Sequence, residues 1–228
     1  MKKCVCRRVT AAAVVLLAGL PLAAQTAGNV AGTLHNLSVT GPGEIRALNE
    51  TEICKFCHIP HNAVVPQPLW SHTLPEVGRY EVGDIRSGSG IKRPAPQPDG
   101  SSRLCLSCHD GTVAVGDLAS GPVAMAGGQR LTPGKRGFIG TNLGGSHPIS
   151  FVYPDLDPTK IDTSIDMGVK PLAVVQTDAA VQLDDQGKMQ CTTCHDPHAD
   201  RFYRPGAVPR FWVKPTVAEV CLTCHELR

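Results

Sequence analysis

Aromatic residues are scarce in this chain, which has two Trp, three Tyr and five Phe among 228 residues. Sustained helical periodicity is also scarce, because 23 Gly and 19 Pro are scattered along the whole length. These two shortages argue against a helical bundle with a conventional side-chain core. We therefore expect a mostly irregular fold with short α-helices and few strands, in which side chains do not supply the whole apolar interior.

Neither sign of charge dominates, and no block of the chain is rich in basic residues. The full chain has 22 Lys and Arg against 20 Asp and Glu. Without a basic patch there is no electrostatic basis for binding nucleic acid. Beyond the N-terminal segment no stretch approaches 18 consecutive apolar residues, so we expect no membrane span in the mature chain.

Residues 1–24 have the pattern of a secretory signal peptide. Four basic residues precede an apolar run over 9–22, and the small residues Ala23 and Ala24 follow it. Cleavage there removes four basic and no acidic side chains, so the formal charge changes from +2 to 18 minus 20, or −2. We expect export to the periplasm or outer surface of a Gram-negative bacterium, with 25–228 as the mature domain.

The pentapeptide Cys-x-x-Cys-His occurs four times. It is the attachment pattern of c-type haem, in which two thiols add to the vinyl groups of one porphyrin and the next residue meets the iron. The eight predicted attachment residues are Cys54, Cys57, Cys105, Cys108, Cys191, Cys194, Cys221 and Cys224. The predicted proximal iron ligands are His58, His109, His195 and His225. The sequence therefore predicts four covalently bound haem c groups, around which the irregular fold is organised.

Two other uses of paired cysteines fit less well. Tetrahedral zinc sites also use CxxC pairs, but a Cys4 site does not need a His directly after every second Cys. A secreted disulfide framework would not favour the same two-residue gap four times.

The two halves of the mature chain repeat one pattern. Residues 54–61 and 191–198 both have the form CxxCHxPH, and each is followed by an apolar residue and CLxCH. The distance from the last His of this segment to the next motif is 44 positions in the first half and 23 in the second. We predict a duplicated two-haem unit, with repeats over about 35–120 and 140–228.

Five histidines lie outside the motifs, and four irons each need a sixth ligand. We predict that His35, His61, His147 and His198 are these distal ligands and that His72 is the spare. His61 and His198 follow a proximal His by three positions, so each should reach a different iron from that of its neighbour. Trp70 is expected to pack against a porphyrin face.

Local patterns give four further expectations. Thr216 should cap a short helix over 216–222 in which Val217, Val220 and Cys221 share a face. Residues 149–153 have strand-like composition, and 86–102 should form a loop with a Pro-rich centre. Because Pro follows His58 and His195 by two positions, the motif helices should end at these ligands.

Several segments resemble a known family, the doubled-CxxCH multihaem cytochromes of metal-respiring bacteria. The similar segments are HNLS, CKFCHIPHN, PLW, RLCLSCHDGTVAVGD and SHPISFVY, and they span most of 35–225. In size and haem number the chain is similar to the tetrahaem outer-surface cytochromes of the OmcE type, which polymerise into conductive filaments. The resemblance implies bis-histidine ligation, a continuous haem stack and, in filaments, a His donated between subunits.

These observations predict an electron-transfer protein rather than an enzyme. Six-coordinate irons have no free position for a substrate, and neighbouring haems let electrons pass along the row. The expected partners are redox proteins and further copies of the same chain, joined end to end with His35 completing an iron in the next chain. The alternative is a multihaem reductase, of the nitrite or hydroxylamine type, with one open haem.

Overall fold

Irregular chain dominates the computed structural model, which describes residues 29–86, 92–154 and 168–226. The helices are α1 (Gly100–His109), α2 (Leu172–Val175), α3 (Cys191–Cys194) and α4 (Val217–Cys224), with 3₁₀ turns at Val30–Gly32 and Cys54–Phe56. The strands are β1 (Arg46–Ala47), β2 (Glu81–Val82), β3 (Asp84–Arg86), β4 (Lys92–Pro94), β5 (Met125–Ala126) and β6 (Asn142–Leu143). The expected fold class of coil with short helices and few strands is thereby confirmed.

The strands form three separate two-stranded sheets. β1 pairs antiparallel with β5, β2 pairs parallel with β6, and β3 pairs antiparallel with β4. Each pairing is only two or three residues long, so these sheets fasten loops together and do not form a layer of the core. The predicted signal peptide lies outside the described residues. Among the helices that are described, none is long and apolar enough to cross a bilayer.

The haem-motif helices begin and end where local chemistry requires. The Thr216 hydroxyl accepts the Glu219 N–H at 3.1 Å and caps α4, as predicted. His195 and His225, which follow α3 and α4, both have extended backbone, and the turn at Cys54–Phe56 ends before His58. The prediction that the motif helices end at the ligands His58 and His195 is confirmed.

The predicted apolar face of α4 was partly wrong. Val220 and Cys224 are buried, whereas Val217 is 37% exposed and Cys221 is exposed. Residues four apart lie one above the other on a helix, so Val220 and Cys224 are the pair that meets the core beside Tyr153.

Residues 149–153 do not form the regular strand predicted from their composition. The Ser150 and Tyr153 N–H groups donate to the carbonyls of Met189 and Gly187, which is strand-like pairing. Ser150, however, has φ of 61°, and this left-handed residue breaks the extended run after one position.

The loop predicted over 86–102 is shorter than expected. Its first part contributes to the β3–β4 hairpin, where Asp84 pairs with Pro94, and its end belongs to α1, which begins at Gly100. Residues 87–91 lie outside the described residues. Pairing across the hairpin satisfies backbone groups that a solvated loop would leave to water.

Within the described residues, the apolar interior is divided among three small clusters. The largest lies in the second half of the chain and contains Tyr153, Val175, Val181, Met189, Val220 and Cys224. A second contains Ala47, Phe56, Val115, Leu118 and Met125, and a third contains Tyr80, Leu106 and Leu143. No cluster is large for a chain of this length, which agrees with the shortage of aromatic side chains.

Candidate haem centres

Three of the four motif histidines sit in the same backbone arrangement. After each of His58, His195 and His225 the chain is extended and forms an antiparallel bridge, with Trp70, Trp212 and Val169 respectively. In every case the carbonyl of the motif's second Cys accepts an N–H from the bridging segment, and the residue after the His donates its N–H back. The acceptors of these returning bonds are the carbonyls of Leu69, Phe211 and Gly168.

The acceptor residue of each returning bond has left-handed backbone. Leu69 has φ of 62°, Phe211 has φ of 60° and Gly168 has φ of 63°. Non-glycine residues adopt this conformation at a cost of roughly 1–2 kcal/mol. The same conformation at three corresponding positions indicates that it is needed to turn the chain beside the proximal histidine.

Gly168→Ala tests this turn. An added Cβ would lie 2.8 Å from the Glu226 carbonyl oxygen, whereas a Cβ on Gly187, which has φ of 70°, meets no atom within 4 Å. We expect Gly187→Ala to lower the free energy of unfolding by about 1 kcal/mol and Gly168→Ala by roughly 2–3 kcal/mol. Denaturant titrations of the haem-loaded variants measure both values. Equal losses would contradict a specific role for the contact beside His225.

Backbone carbonyls orient the imidazoles of three proximal histidines. Nδ1 of His58 lies 2.7 Å from the Pro68 oxygen, Nδ1 of His195 lies 3.1 Å from the Arg210 oxygen, and Nδ1 of His109 lies 2.6 Å from the Gly137 oxygen. Because a carbonyl only accepts, Nδ1 carries the proton and Nε2 keeps its lone pair. This is the tautomer that an iron ligand requires.

The segment that holds His195 is itself anchored. Arg210 forms an ion pair with Asp200, and its guanidinium lies 3.7 Å from the centre of the Tyr203 ring. The Phe211 N–H donates to the same Asp200 carboxylate at 2.7 Å. These contacts fix the Arg210 carbonyl, which accepts the hydrogen bond from Nδ1 of His195.

Three distal candidates each lie opposite a proximal histidine. The ring centres are 6.1 Å apart for His58 and His198, 6.0 Å for His109 and His35, and 6.3 Å for His225 and His147. Metal–imidazole bonds are about 2 Å long, so two coaxial imidazoles have ring centres roughly 6 Å apart when one metal ion separates them. The separation is too long for ring stacking and suits an iron between each pair.

His35 was expected to complete an iron in a neighbouring chain, but it lies within its own chain beside His109. Its Nδ1 is 3.0 Å from the Pro197 oxygen, and its ring stacks on Phe211 at 4.1 Å and 13°. Burial lowers the pKa of His35 to about 4, so the imidazole is neutral at neutral pH. The segment that contains His35 packs onto the second half of the chain, so this imidazole is placed to pair with His109 of its own chain.

The two remaining histidines outside the motifs have different surroundings. His72 is fully buried, with its ring nitrogens 2.8 Å from the Thr73 oxygen and 3.0 Å from the Ala114 oxygen, so it is a structural residue. His61 is exposed, and among the described residues no ring faces it as His198 faces His58. His195 meets Trp212 edge to face at 5.0 Å but has no second imidazole at the spacing of the other pairs.

The four motifs lie in a row whose order follows the sequence. Burial is the main reason that the pKa values of Cys108 and Cys194 are raised, and nearby thiols add to it, Cys57 for Cys108 and Cys224 with Cys221 for Cys194. Between these two pairs of motifs, Cys191 begins α3 beside α1, where its N–H donates to the Ser102 hydroxyl at 3.0 Å. All eight motif cysteines are free of disulfides.

These residues fit covalent haem. Free thiols in pairs, a proximal imidazole with Nε2 unprotonated and a second imidazole across a gap of one iron are the donors that a bis-histidine haem c uses. Haem supplies one-electron redox chemistry at iron when bound.

Residues 185–227 match a family model described as Doubled CXXCH motif. This match supports a multihaem c-type cytochrome. The matched residues are the third and fourth motifs with the segment between them. The first half of the chain, where the spacing between motifs is 21 positions longer (44 minus 23), lies outside the match. No curated protein matches the chain.

Sequence reasoning missed the residues that hold the ligands in place. Arg210, Phe211 and Trp212 occupy in the second half the place that Pro68, Leu69 and Trp70 occupy in the first. The shared Trp after an apolar residue was a usable signal, because both triplets follow a CxxCHxPH segment. Trp70, predicted to pack against a porphyrin, lies edge to face with the proximal His58 at 6.1 Å.

Proposed function

We propose that this protein carries electrons along four covalently bound haems in respiratory electron transfer outside the cytoplasm. The observation that carries the proposal is the set of three histidine pairs with ring centres 6.0–6.3 Å apart. Two imidazoles at each of these irons leave no position for a substrate. The order of the motifs, in which cysteines of neighbouring motifs lie near one another, supports passage from one end of the chain to the other.

A redox titration tests this proposal. The exported, mature protein should carry the added mass of four haems and take up four electrons in one-electron steps. Low-spin ferric spectra should account for the three irons with paired histidines, because two neutral imidazoles give a strong axial field. Cell fractionation should recover the protein, without residues 1–24, from the periplasm or the outer surface. Native protein with no attached tetrapyrrole would overturn the proposal.

The remaining iron, predicted at His195 of the third motif, leads to two further possibilities for the function. No second imidazole in the same chain stands opposite His195 among the described residues. We propose that His61 of a second copy fills this position, in an end-to-end assembly that can extend into a filament. The loop of His61 has apolar side chains on its surface, with Val64 42% and Leu69 45% exposed, which suits a covered contact.

His61→Ala tests the assembly. Dilute wild-type monomers should bind one carbon monoxide per reduced chain, at the His195 iron, and concentrated assembled protein should bind none. The variant should stay monomeric and bind one at every concentration, as seen by light scattering and absorption spectra. If the variant assembled to the same extent as the wild type, His61 would not be part of the contact.

A reductase remains the second candidate function, because the same unpaired His195 could leave its iron open to a small oxidised nitrogen substrate. Assembled wild-type protein that still binds one carbon monoxide per chain and turns over nitrite or hydroxylamine would favour the reductase.

A further inference from the structure

The second and third motifs meet at their first cysteines, although they belong to different halves of the chain. Cys105 lies in α1 and Cys191 begins α3, and the two helices pack against each other, with the Cys191 N–H donating to the Ser102 hydroxyl of α1 at 3.0 Å. In a haem c thioether one carbon atom separates the sulfur from the conjugated ring. In the proposed tetrahaem protein, this packing would set how closely the haems attached at Cys105 and Cys191 approach each other across the two halves of the chain.

A buried polar network surrounds this junction. Gln190, 1% exposed, precedes Cys191 and uses both ends of its amide. Its Oε1 accepts from the Ser102 hydroxyl at 2.5 Å and from the Ser150 hydroxyl at 3.3 Å. Its Nε2 donates to Asp99 at 3.0 Å and to Asp184 at 2.9 Å. An amide held on both sides has one orientation only, so it fixes the start of α3 against α1.

Ser102 is the member of the network that touches both helices. It is fully buried, one helical turn before Cys105, and its Oγ accepts the Cys191 N–H at 3.0 Å. Residues three apart lie on the same face of a helix, so Ser102 and Cys105 face α3 together. The placement of Cys191 beside the helical turn that carries Cys105 thus follows from a hydrogen bond between the Cys191 backbone and Ser102.

We infer that Ser102 and Gln190 are positioning residues for electron transfer between the two halves. They hold the attachment sulfurs of the second and third haem sites together without touching either group's iron ligands. This inference rests on the proposed function, because it concerns the passage of electrons between sites on one chain. Burial excludes water as a replacement partner, so loss of the Ser102 hydroxyl leaves the Cys191 N–H and one lone pair of Gln190 without a bond.

Ser102→Ala is the test, with Ser71→Ala as the matched control. Ser71 is also fully buried, but its hydroxyl has no hydrogen-bond partner among the described residues. Both variants should carry four haems with unchanged low-spin spectra. In Ser102→Ala the visible circular dichroism signal that arises from coupling between neighbouring haems should weaken. After a light pulse generates a chemical reductant, electrons should redistribute among the haems several-fold more slowly than in the wild type. Ser71→Ala should match the wild type in both measurements.

Two further variants distinguish loss of the Ser102 hydrogen bonds from a general defect in packing or haem loading. Ser102→Thr keeps the hydroxyl and should restore both readouts toward wild type, which a general packing defect would not do. Should Ser102→Ala fail to load four haems, Gln190→Asn, with an amide too short to reach Ser102, is measured in the same way. Wild-type coupling and wild-type rates in the altered protein would overturn this inference alone. An absence of haem in the wild type would instead overturn the proposed function.

Discussion

Made without covalent haem attachment, the mature chain will remain unfolded. Its three apolar clusters contain six, five and three buried residues. Burial stabilises by about 25 cal/mol per Å² of apolar surface, and ordering a residue costs about 1.5 kcal/mol, so small separate clusters cannot hold a chain of this length. In the proposed tetrahaem protein, macrocycles held at the four motifs would supply the missing apolar surface and would cross-link distant segments at the same time.

The comparison uses one chain in two states, secreted with and without the haem attachment machinery. Far-ultraviolet circular dichroism of the haem-free chain should show little helix, and its amide hydrogens should exchange without protection. The haem-loaded chain should show the four short helices and a cooperative thermal transition. Substituting Ser at Cys54 and Cys57 should remove the mass of one haem and destabilise the first half. Cooperative melting of the haem-free chain would refute the dependence on haem.

Replacing any of the three paired distal histidines by alanine will open one iron. His35, His147 and His198 each stand opposite one proximal histidine. Replacing one of them therefore removes the sixth ligand of the iron between that pair. Each variant should bind one carbon monoxide more than wild type at the same protein concentration, with a high-spin signal before the gas is added. The free energy of unfolding should also fall, because each pair joins segments far apart in sequence.

His72→Gln is the control for these variants. The glutamine amide NH2 can donate to the carbonyls of Thr73 and Ala114, so this substitution changes a histidine outside the motifs without opening an iron. Its carbon monoxide binding should equal that of wild type. An extra equivalent in His72→Gln, or none in His198→Ala, would contradict the assignment of pairs.

Much of the fold class followed from composition, because abundant Gly and Pro with few aromatics exclude long helices and large sheets whatever the packing. The ends of the motif helices also followed, since a following Pro limits the backbone locally. The strand at 149–153 failed because Ser150 is left-handed, which no residue pattern announced. The loop at 86–102 was overextended because hairpin pairing of β3 with β4 depends on partners that composition does not show.

The sequence by itself determined the predicted sites of haem attachment, because that chemistry is contained in five consecutive residues and needs no distant partner. It also determined that enough histidines were present to complete the irons. Only the tertiary structure decided which histidines face one another, placing His198 opposite His58 and returning His35 to His109 of the same chain. Such pairs join residues brought together by loops and backbone turns, and many different closures of those loops agree with the same spacing of motifs.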